Sequence, residues 1–341
     1  MVEFSDLPQE YIKPYSICFS LIRFNNFNFF DDHVPIFKKY WRVFVRMFLT
    51  SIQFVSMIIY LIRRIQEDFE TTELSYAMSC LMVITQGFLK FYLVLYHKAN
   101  IQKLILSLGV MWKKDNLTDI QIENKNRLLK TLNMLAGLAY IYYGVELLPI
   151  TICGLLSTAF SFLREDLKRL TPRNNQVNLN ENFQNEPTNT IEIIIKQHQK
   201  LIELTKLMMN IFTVIFFTNL AFAAIEICFY IFASIVTPTP MDFAKNILAV
   251  IIMLPSIFIL CYYSELLREE SGGIADAAYE NIWYRGDVGY QKSICFIIMR
   301  AQRPCTLMCL NYIPITLNTF TKIVSTTWSY LSLAMTMYSK K

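Results

Sequence analysis

Residues able to do chemistry are thinly scattered along these 341 residues, and their spacing excludes most reactions. No paired acids, no nucleophile beside a base and no glycine-rich phosphate loop stand out, so the chain reads as neither an enzyme nor a cofactor binder. The eight cysteines are dispersed, most of them inside or beside apolar segments. Cys305 and Cys309, four apart on a helix by this reading and with no histidine nearby, lack zinc spacing. They read as buried thiols acting as small hydrophobes. One disulfide stays open, since nothing names its partners. His198, set among Lys196, Gln197, Gln199 and Lys200, reads as a solvated or interfacial residue, with a role at subunit contacts as the alternative. Lys90, Glu146 and Glu226 are of another kind, because an ionisable group inside an apolar segment is a functional candidate by default. Lys90 and Glu226 fall near opposite ends of their segments, so no pairing between them is inferred.

The last apolar stretch, residues 313–338, is the other chemically distinctive region. It carries Thr316, Asn318, Thr319, Thr321, Ser325, Thr326, Thr327, Ser329, Ser332 and Thr336, groups that hydrocarbon leaves poorly matched. Such a helix faces protein or water on one side. Ser329, Leu333 and Met337 recur every four residues with Thr336 beside them, so they share a helix face. Packing on neighbouring helices is the plain reading of that face.

The elements that must position these residues are set by composition. Hydrophobic residues make up 54% of the chain and aromatics 14%, with mean hydropathy +0.34, far more apolar than a soluble domain of this length. The fold class is all-α, a polytopic membrane helical bundle. The net charge of +5 sits mostly in loops beside apolar runs, where it reports orientation and no affinity for nucleic acid. Apolar runs place spans at about 43–62, 76–96, 209–236 and 243–267, the last with Pro255 as a kink. Lys38, Lys39, Arg42 and Arg46 put the N-terminus in the cytoplasm, and the opening residues lack the pattern of a cleavable signal peptide. Residues 171–190, rich in Asn, Gln and Pro, read as a solvated loop, followed by an amphipathic helix that continues into the membrane. Gly272-Gly273 reads as a helix break. Residues 279–303 read as a helical element outside the bilayer, with Tyr279, Trp283 and Tyr284 as an aromatic patch on one helix or as ordinary intrachain packing.

Ordered landmarks in the C-terminal half carry a family resemblance. Ser271, Tyr279, Trp283 and Tyr284, then Arg300, Gln302 and Pro304, then Pro314, Leu317, Phe320, Ser329 and Leu333 resemble the C-terminal signature of insect odorant receptors. Cys228, Cys261, Glu265 and Gln197-His198 with Leu201 extend the likeness upstream, while the N-terminal half matches in hydropathy and charge layout alone. The resemblance implies a seven-span fold with a cytoplasmic N-terminus and an extracellular C-terminus. On it the chain divides into a cytoplasmic leader 1–42, transmembrane helices 43–163, a cytoplasmic loop and helix 164–208, spans 209–267, a cytoplasmic anchor region 268–312 and a pore-lining helix 313–341. The apolar block 132–163 is longer than one crossing of about 20 residues and shorter than two, and basic residues flank it on both sides. It therefore looks like the third and fourth spans fused, with their outer halves missing.

The resemblance further implies an odorant receptor subunit of a ligand-gated, non-selective cation channel detecting small volatile apolar molecules. Its partners would be the lipid bilayer and the family's shared co-receptor in a heterotetramer, in the plasma membrane of sensory neuron dendrites. Ser329, Leu333, Thr336 and Met337 then become candidates for the pore and its gate. Val83, Ile84, Tyr140 and Tyr143 become candidates for odorant contact, and Tyr279, Trp283 and Tyr284 for a subunit anchor. The alternatives are a gustatory-receptor-like channel, whose different final motif is not found, and a truncated, non-functional isoform. A G-protein-coupled receptor needs an outside N-terminus, which the charge layout opposes.

Overall fold

Apolar residues recur at helical spacing through most of the chain, and the backbone follows them. The computed structural model describes residues 4–23, 36–66, 71–113, 117–139, 144–171, 188–236 and 239–338. Its helices are α1 (Gln9–Arg23), α2 (Ile36–Gln66), α3 (Thr71–Tyr96), α4 (Lys98–Val110), α5 (Asp119–Ala139), α6 (Gly144–Arg169), α7 (Thr188–Val236), α8 (Pro240–Glu280), α9 (Val288–Ala301) and α10 (Leu317–Tyr338). Between α9 and α10, β1 (Met308–Cys309) and β2 (Ile313–Pro314) form an antiparallel ribbon with Met308 opposite Pro314 and Cys309 opposite Ile313. The chain is an all-α membrane bundle, with one ribbon among the described residues.

Two units partition it. The first comprises Met1–Cys18, Ala99–Ile211 and Tyr263–Leu307. On α4, Ile101, Leu104, Ile105 and Leu108 follow i, i+3, i+4, i+7 spacing and are all fully buried. Each such burial stabilises by about 1.5–3 kcal/mol. Tyr11 and Tyr15 of α1 join this core, and the Tyr11 hydroxyl donates to the Ile105 carbonyl at 2.7 Å. Gly109 permits that docking, since a Cβ there would come within 2.6 Å of the Leu7 side chain and 2.9 Å of Tyr11. A capping box starts α5: Gln121 N–H donates to Thr118 Oγ1 at 3.1 Å, and Thr118 N–H to Gln121 Oε1 at 3.0 Å. Thr118 is thus committed to a cap.

The C-terminal end of α6 is tied to α8 and the turn beyond it. Arg164 pairs with Glu270 at 2.8 Å and Lys168 with Glu280 at 2.9 Å. Asn281, 3% exposed, donates its amide to the Leu167 and Leu170 carbonyls at 2.9 and 2.5 Å and accepts the Tyr290 hydroxyl at 2.8 Å. A side chain from elsewhere thus satisfies the Leu170 carbonyl at the end of the helix and adds a second donor to the Leu167 carbonyl, which also accepts the Leu170 N–H at 3.3 Å.

The second unit comprises Phe19–Lys98, Phe212–Tyr262 and Met308–Lys341. Within it α2 packs on α3, and Phe258 of α8 meets Phe320 of α10 edge-on with centroids 5.5 Å apart. Much apolar surface stays uncovered, as for Phe48, Ile52, Val55 and Ile59 of α2 and Leu248 and Ile251 of α8. A lipid solvent suits such faces.

Several sequence expectations change. Helix α8 runs through Gly272-Gly273 to Glu280 without a break. The reason is close approach: a Cβ on Gly273 would lie 3.3 Å from Arg164 Cδ, so the glycines admit the arginine that bridges to Glu270. Block 132–163 belongs to two helices, α5 and α6, with 140–143 outside the described residues. Among the described residues, four helices are long and apolar enough to cross a membrane, in α3, α6, α7 and α8, and α2 adds a shorter apolar run, Phe48–Arg63. The α6 run is 89% covered by protein, against 22% in α3 and 33% in α8, so α6 is a core helix of its unit. Cys305 lies beyond the end of α9 and Cys309 in β1, so they are not on one helix. The residues 313–314 expected at the start of the last helix are strand instead. His198 is buried, its ring edge-on to Phe160 at 6.4 Å, and is not a solvated residue.

Candidate functional site

Helix α10 is built from a cap outward. Thr316 precedes it, its Oγ1 accepting the Thr319 N–H at 3.3 Å, while the Thr319 hydroxyl donates to the Pro314 carbonyl at 2.6 Å. Along the helix, Thr326, Thr327, Ser329 and Thr336 donate to the carbonyls four residues back, at 2.7, 2.9, 3.2 and 2.9 Å. Back-bonding satisfies those donors within the helix. Hydroxyl content alone therefore does not oblige this helix to face water, and the stronger signal is its pattern. Thr327 and Leu331, one turn apart, are each 4% exposed and mark the packed face. Opposite them, Asn318, Lys322, Ser325, Ser329, Ser332 and Thr336 are all exposed. Their spacing alternates four and three, as two interleaved seven-residue columns, so they form one polar stripe. Ser329 and Thr336 lie in the stripe and Leu333, 59% exposed, along its edge. Met337 belongs to the same helix. Asn318, Lys322, Ser325 and Ser332 were not singled out from the sequence as lining residues, although the heptad spacing that unites them was legible there.

Two buried ionisable residues, Lys90 and Glu226, lie at separate positions along the contact of α3 with α7. Lys90 Nζ and Gln86 Nε2 each donate to Asn219 Oδ1 at 2.8 Å, with Lys90 4% and Gln86 8% exposed. Gln86 and Lys90 share a face of α3 at i, i+4, and Asn219 and Glu226 a face of α7 at i, i+7. Glu226 is 1% exposed. The lysine thus meets an amide, a partner whose separation of 129 residues hides it from any local motif. Val83 lies one heptad before Lys90 on that face of α3, and Ile84 about 100° round the helix; both are half-buried. Tyr140 and Tyr143 lie outside the described residues, and the side chain of Glu146 is likewise not described. An open groove of about 420 Å³ runs along α2, lined by Phe48, Ser51, Ile52, Val55, Ser56 and Ile59, and includes none of the expected odorant contacts.

The aromatic patch is assembled from two elements. Tyr279 ends α8, whereas Trp283 and Tyr284 sit in a 3₁₀ turn spanning Trp283–Arg285, so the three do not share one helix. Tyr279 and Tyr284 are 71% and 62% exposed, and Trp283 is half-buried and edge-on to Tyr284 at 6.1 Å. Helix α9 continues the exposed surface. Ile294, Ile297 and Ala301 face inward, while Val288, Phe296 and Met299 are exposed on the other side. That second stripe follows from the 3.6-residue period and was not drawn from the sequence.

Comparisons with known proteins agree with this architecture. The family described as 7tm Odorant receptor matches residues 129–328. Odorant receptor 85b of Drosophila melanogaster is 26% identical over 147 residues, 43% of this chain and 38% of that receptor. Odorant receptor 67c of the same fly is 27% identical over 211 residues, 60% of this chain and 48% of that receptor. The matched region thus spans less than half the length of these relatives. The solved structure of the insect olfactory receptor OR5 of Machilis hrabei in complex with eugenol superposes with TM-score 0.70 at 12% identity, covering 96% of this chain and all (100%) of that one. A second structure of the same receptor gives 0.62 at 11% identity.

Proposed function

Because the chain belongs to the 7tm odorant receptor family of insects, we propose that it is an odorant receptor subunit of a ligand-gated, non-selective cation channel. It would assemble with the family's co-receptor as a heterotetramer in the plasma membrane of sensory neuron dendrites. The observation that carries the reading is the polar stripe of α10, exposed opposite the face on Thr327 and Leu331. A helix packed on one side and lined with small hydroxyl groups on the other suits the wall of an aqueous pore. Leu333, with Met337 one turn on, is then the apolar constriction that closes the pore by dewetting, and Ser329 and Thr336 line it. Ligand binding shifts the closed and open populations by its differential affinity for them. Val83 and Ile84 of α3, with Tyr140 and Tyr143, are the proposed odorant contacts. Tyr279, Trp283 and Tyr284, in region 268–312, are the proposed subunit anchor.

A second reading, a subunit that assembles without answering odorants, draws on the α5–α6 connection. Four residues separate Ala139 from Gly144, and the α6 run is covered by protein, as expected if the outer halves of two spans are missing. One experiment separates the two. The chain is co-expressed with the co-receptor, a C-terminal tag is labelled without permeabilising the cells, and currents are recorded with a panel of eugenol, aliphatic alcohols, esters and aldehydes. Surface label with odorant-evoked current supports the channel, and Leu333→Ser should then raise the unliganded leak. Surface label without any evoked current favours the second reading, and a Leu333→Ser channel with unchanged leak and selectivity rejects the gate.

A further inference from the structure

The ribbon that precedes α10 is fastened to α7 through a hydroxyl. Thr213 Oγ1 donates to the Met308 carbonyl at 3.1 Å and accepts the Leu310 N–H at 2.8 Å. These bonds flank a turn that the chain adopts reluctantly. Leu310 and Asn311 have φ of 49° and 62°, the left-handed region, and the turn closes through Tyr312 N–H to the Cys309 carbonyl at 3.0 Å. Asparagine tolerates this region, whereas a leucine there requires outside support. Thr213 supplies it, pairing with the amide of the residue whose backbone is least at ease.

The connection continues upward without a gap. The ribbon pairs Met308 with Pro314 and Cys309 with Ile313, Cys309 and Ile315 are buried, and the Pro314 carbonyl accepts the Thr319 hydroxyl in the first turn of α10. Every residue in this chain of bonds belongs to the second unit.

We propose that Thr213 is a positioning residue for α10, holding the ribbon against α7 so that the helix starts at a defined height and rotation. Its consequence for gating rests on the channel reading above, whereas the placement itself does not. Two measurements keep them apart. Hydrogen exchange on the purified full-length chain in detergent micelles reads the ribbon directly in Thr213→Val, which keeps the shape and deletes the hydroxyl, and in Thr213→Ser, which restores it. Exchange over residues 307–313 should rise roughly 2- to 10-fold in the valine variant and return in the serine variant. Currents in cells co-expressing the co-receptor read the consequence, using whichever panel compound evokes a response. The half-maximal concentration should shift roughly 2- to 10-fold in Thr213→Val and recover in Thr213→Ser. If Thr213→Val does not reach the surface, replacing Leu310 by its α-hydroxy analogue, which removes the amide N–H and weakens the Cys309 carbonyl as an acceptor, takes its place and should give at least as large a shift. Unchanged exchange in Thr213→Val, a serine variant as disturbed as the valine one, or a wild-type dose response from the Leu310 ester would each overturn the assignment. A wild-type chain that passes no current refutes the channel reading and leaves exchange to decide the clamp.

Discussion

Replacing Asn281 by alanine should loosen the C-terminal end of α6 more than any other single polar truncation in that region. The side chain is 3% exposed and makes three hydrogen bonds, two to the carbonyls of Leu167 and Leu170 and one from Tyr290. A neutral hydrogen bond contributes about 0.5–1.5 kcal/mol net, and a buried group left without a partner costs about 1–3 kcal/mol. The Leu170 carbonyl lies at the end of the helix beside a half-buried residue and can be rehydrated, and the Leu167 carbonyl keeps the Leu170 N–H at 3.3 Å, so neither is left wholly without a partner and the cost is that of three lost hydrogen bonds. The sum is therefore about 2–3 kcal/mol, below three times the upper value for one bond. Unfolding of such a chain is not a two-state event, so the assay is native-state hydrogen exchange over residues 160–171, which reports the local opening free energy. A change of about 2 kcal/mol corresponds to roughly 30-fold faster exchange there. Asn281→Asp provides the control. It keeps the acceptor for Tyr290 but loses both donors and sets a negative charge against the negative end of the helix dipole, so it should be no milder than alanine. Exchange in Asn281→Ala within about 2-fold of wild type would refute the account, because the carbonyls would then have found partners without the asparagine.

Other outcomes follow from the same contacts. Asn219→Leu removes the acceptor shared by Lys90 and Gln86, and losing a buried hydrogen-bond acceptor should destabilise by about 1–3 kcal/mol, measured as loss of heat-resistant folded protein in detergent. Gln86→Leu in that background should recover part of the loss, and no recovery would show that the glutamine amide is not the source of the cost. Cysteine labelling should separate two thiols only ten residues apart in sequence number. Cys295 is exposed on α9, whereas burial pushes the Cys305 thiol up from its ordinary range, only partly offset by Arg300 and by hydrogen bonds with Thr205 and Ser271. The thiolate is the reactive form, so maleimide at neutral pH should modify Cys295 first in peptide maps, and equal rates would contradict the packing around Cys305.

Periodicity made the helices and the shared face of Ser329 and Leu333 legible in the sequence, because each depends on residues within two turns of one another. The family was legible too, since its landmarks are ordered residue types along one C-terminal stretch. The misreadings share a different cause. Gly272-Gly273 looked like a break and is a place where Arg164 lies against α8, and His198 looked solvated among polar neighbours but is buried against Phe160. Asn281 caps a helix that ends more than a hundred residues earlier, and Lys90 finds its acceptor on α7. The ribbon before α10 depends on a hydroxyl from α7, which no reading of residues 308–314 alone could supply. Helix formation is governed by neighbours three and four positions away, so the chain by itself determined where its helices lie and that they suit a membrane. Which buried polar group meets which partner depends on surfaces brought together from distant segments, and tertiary packing alone decided that.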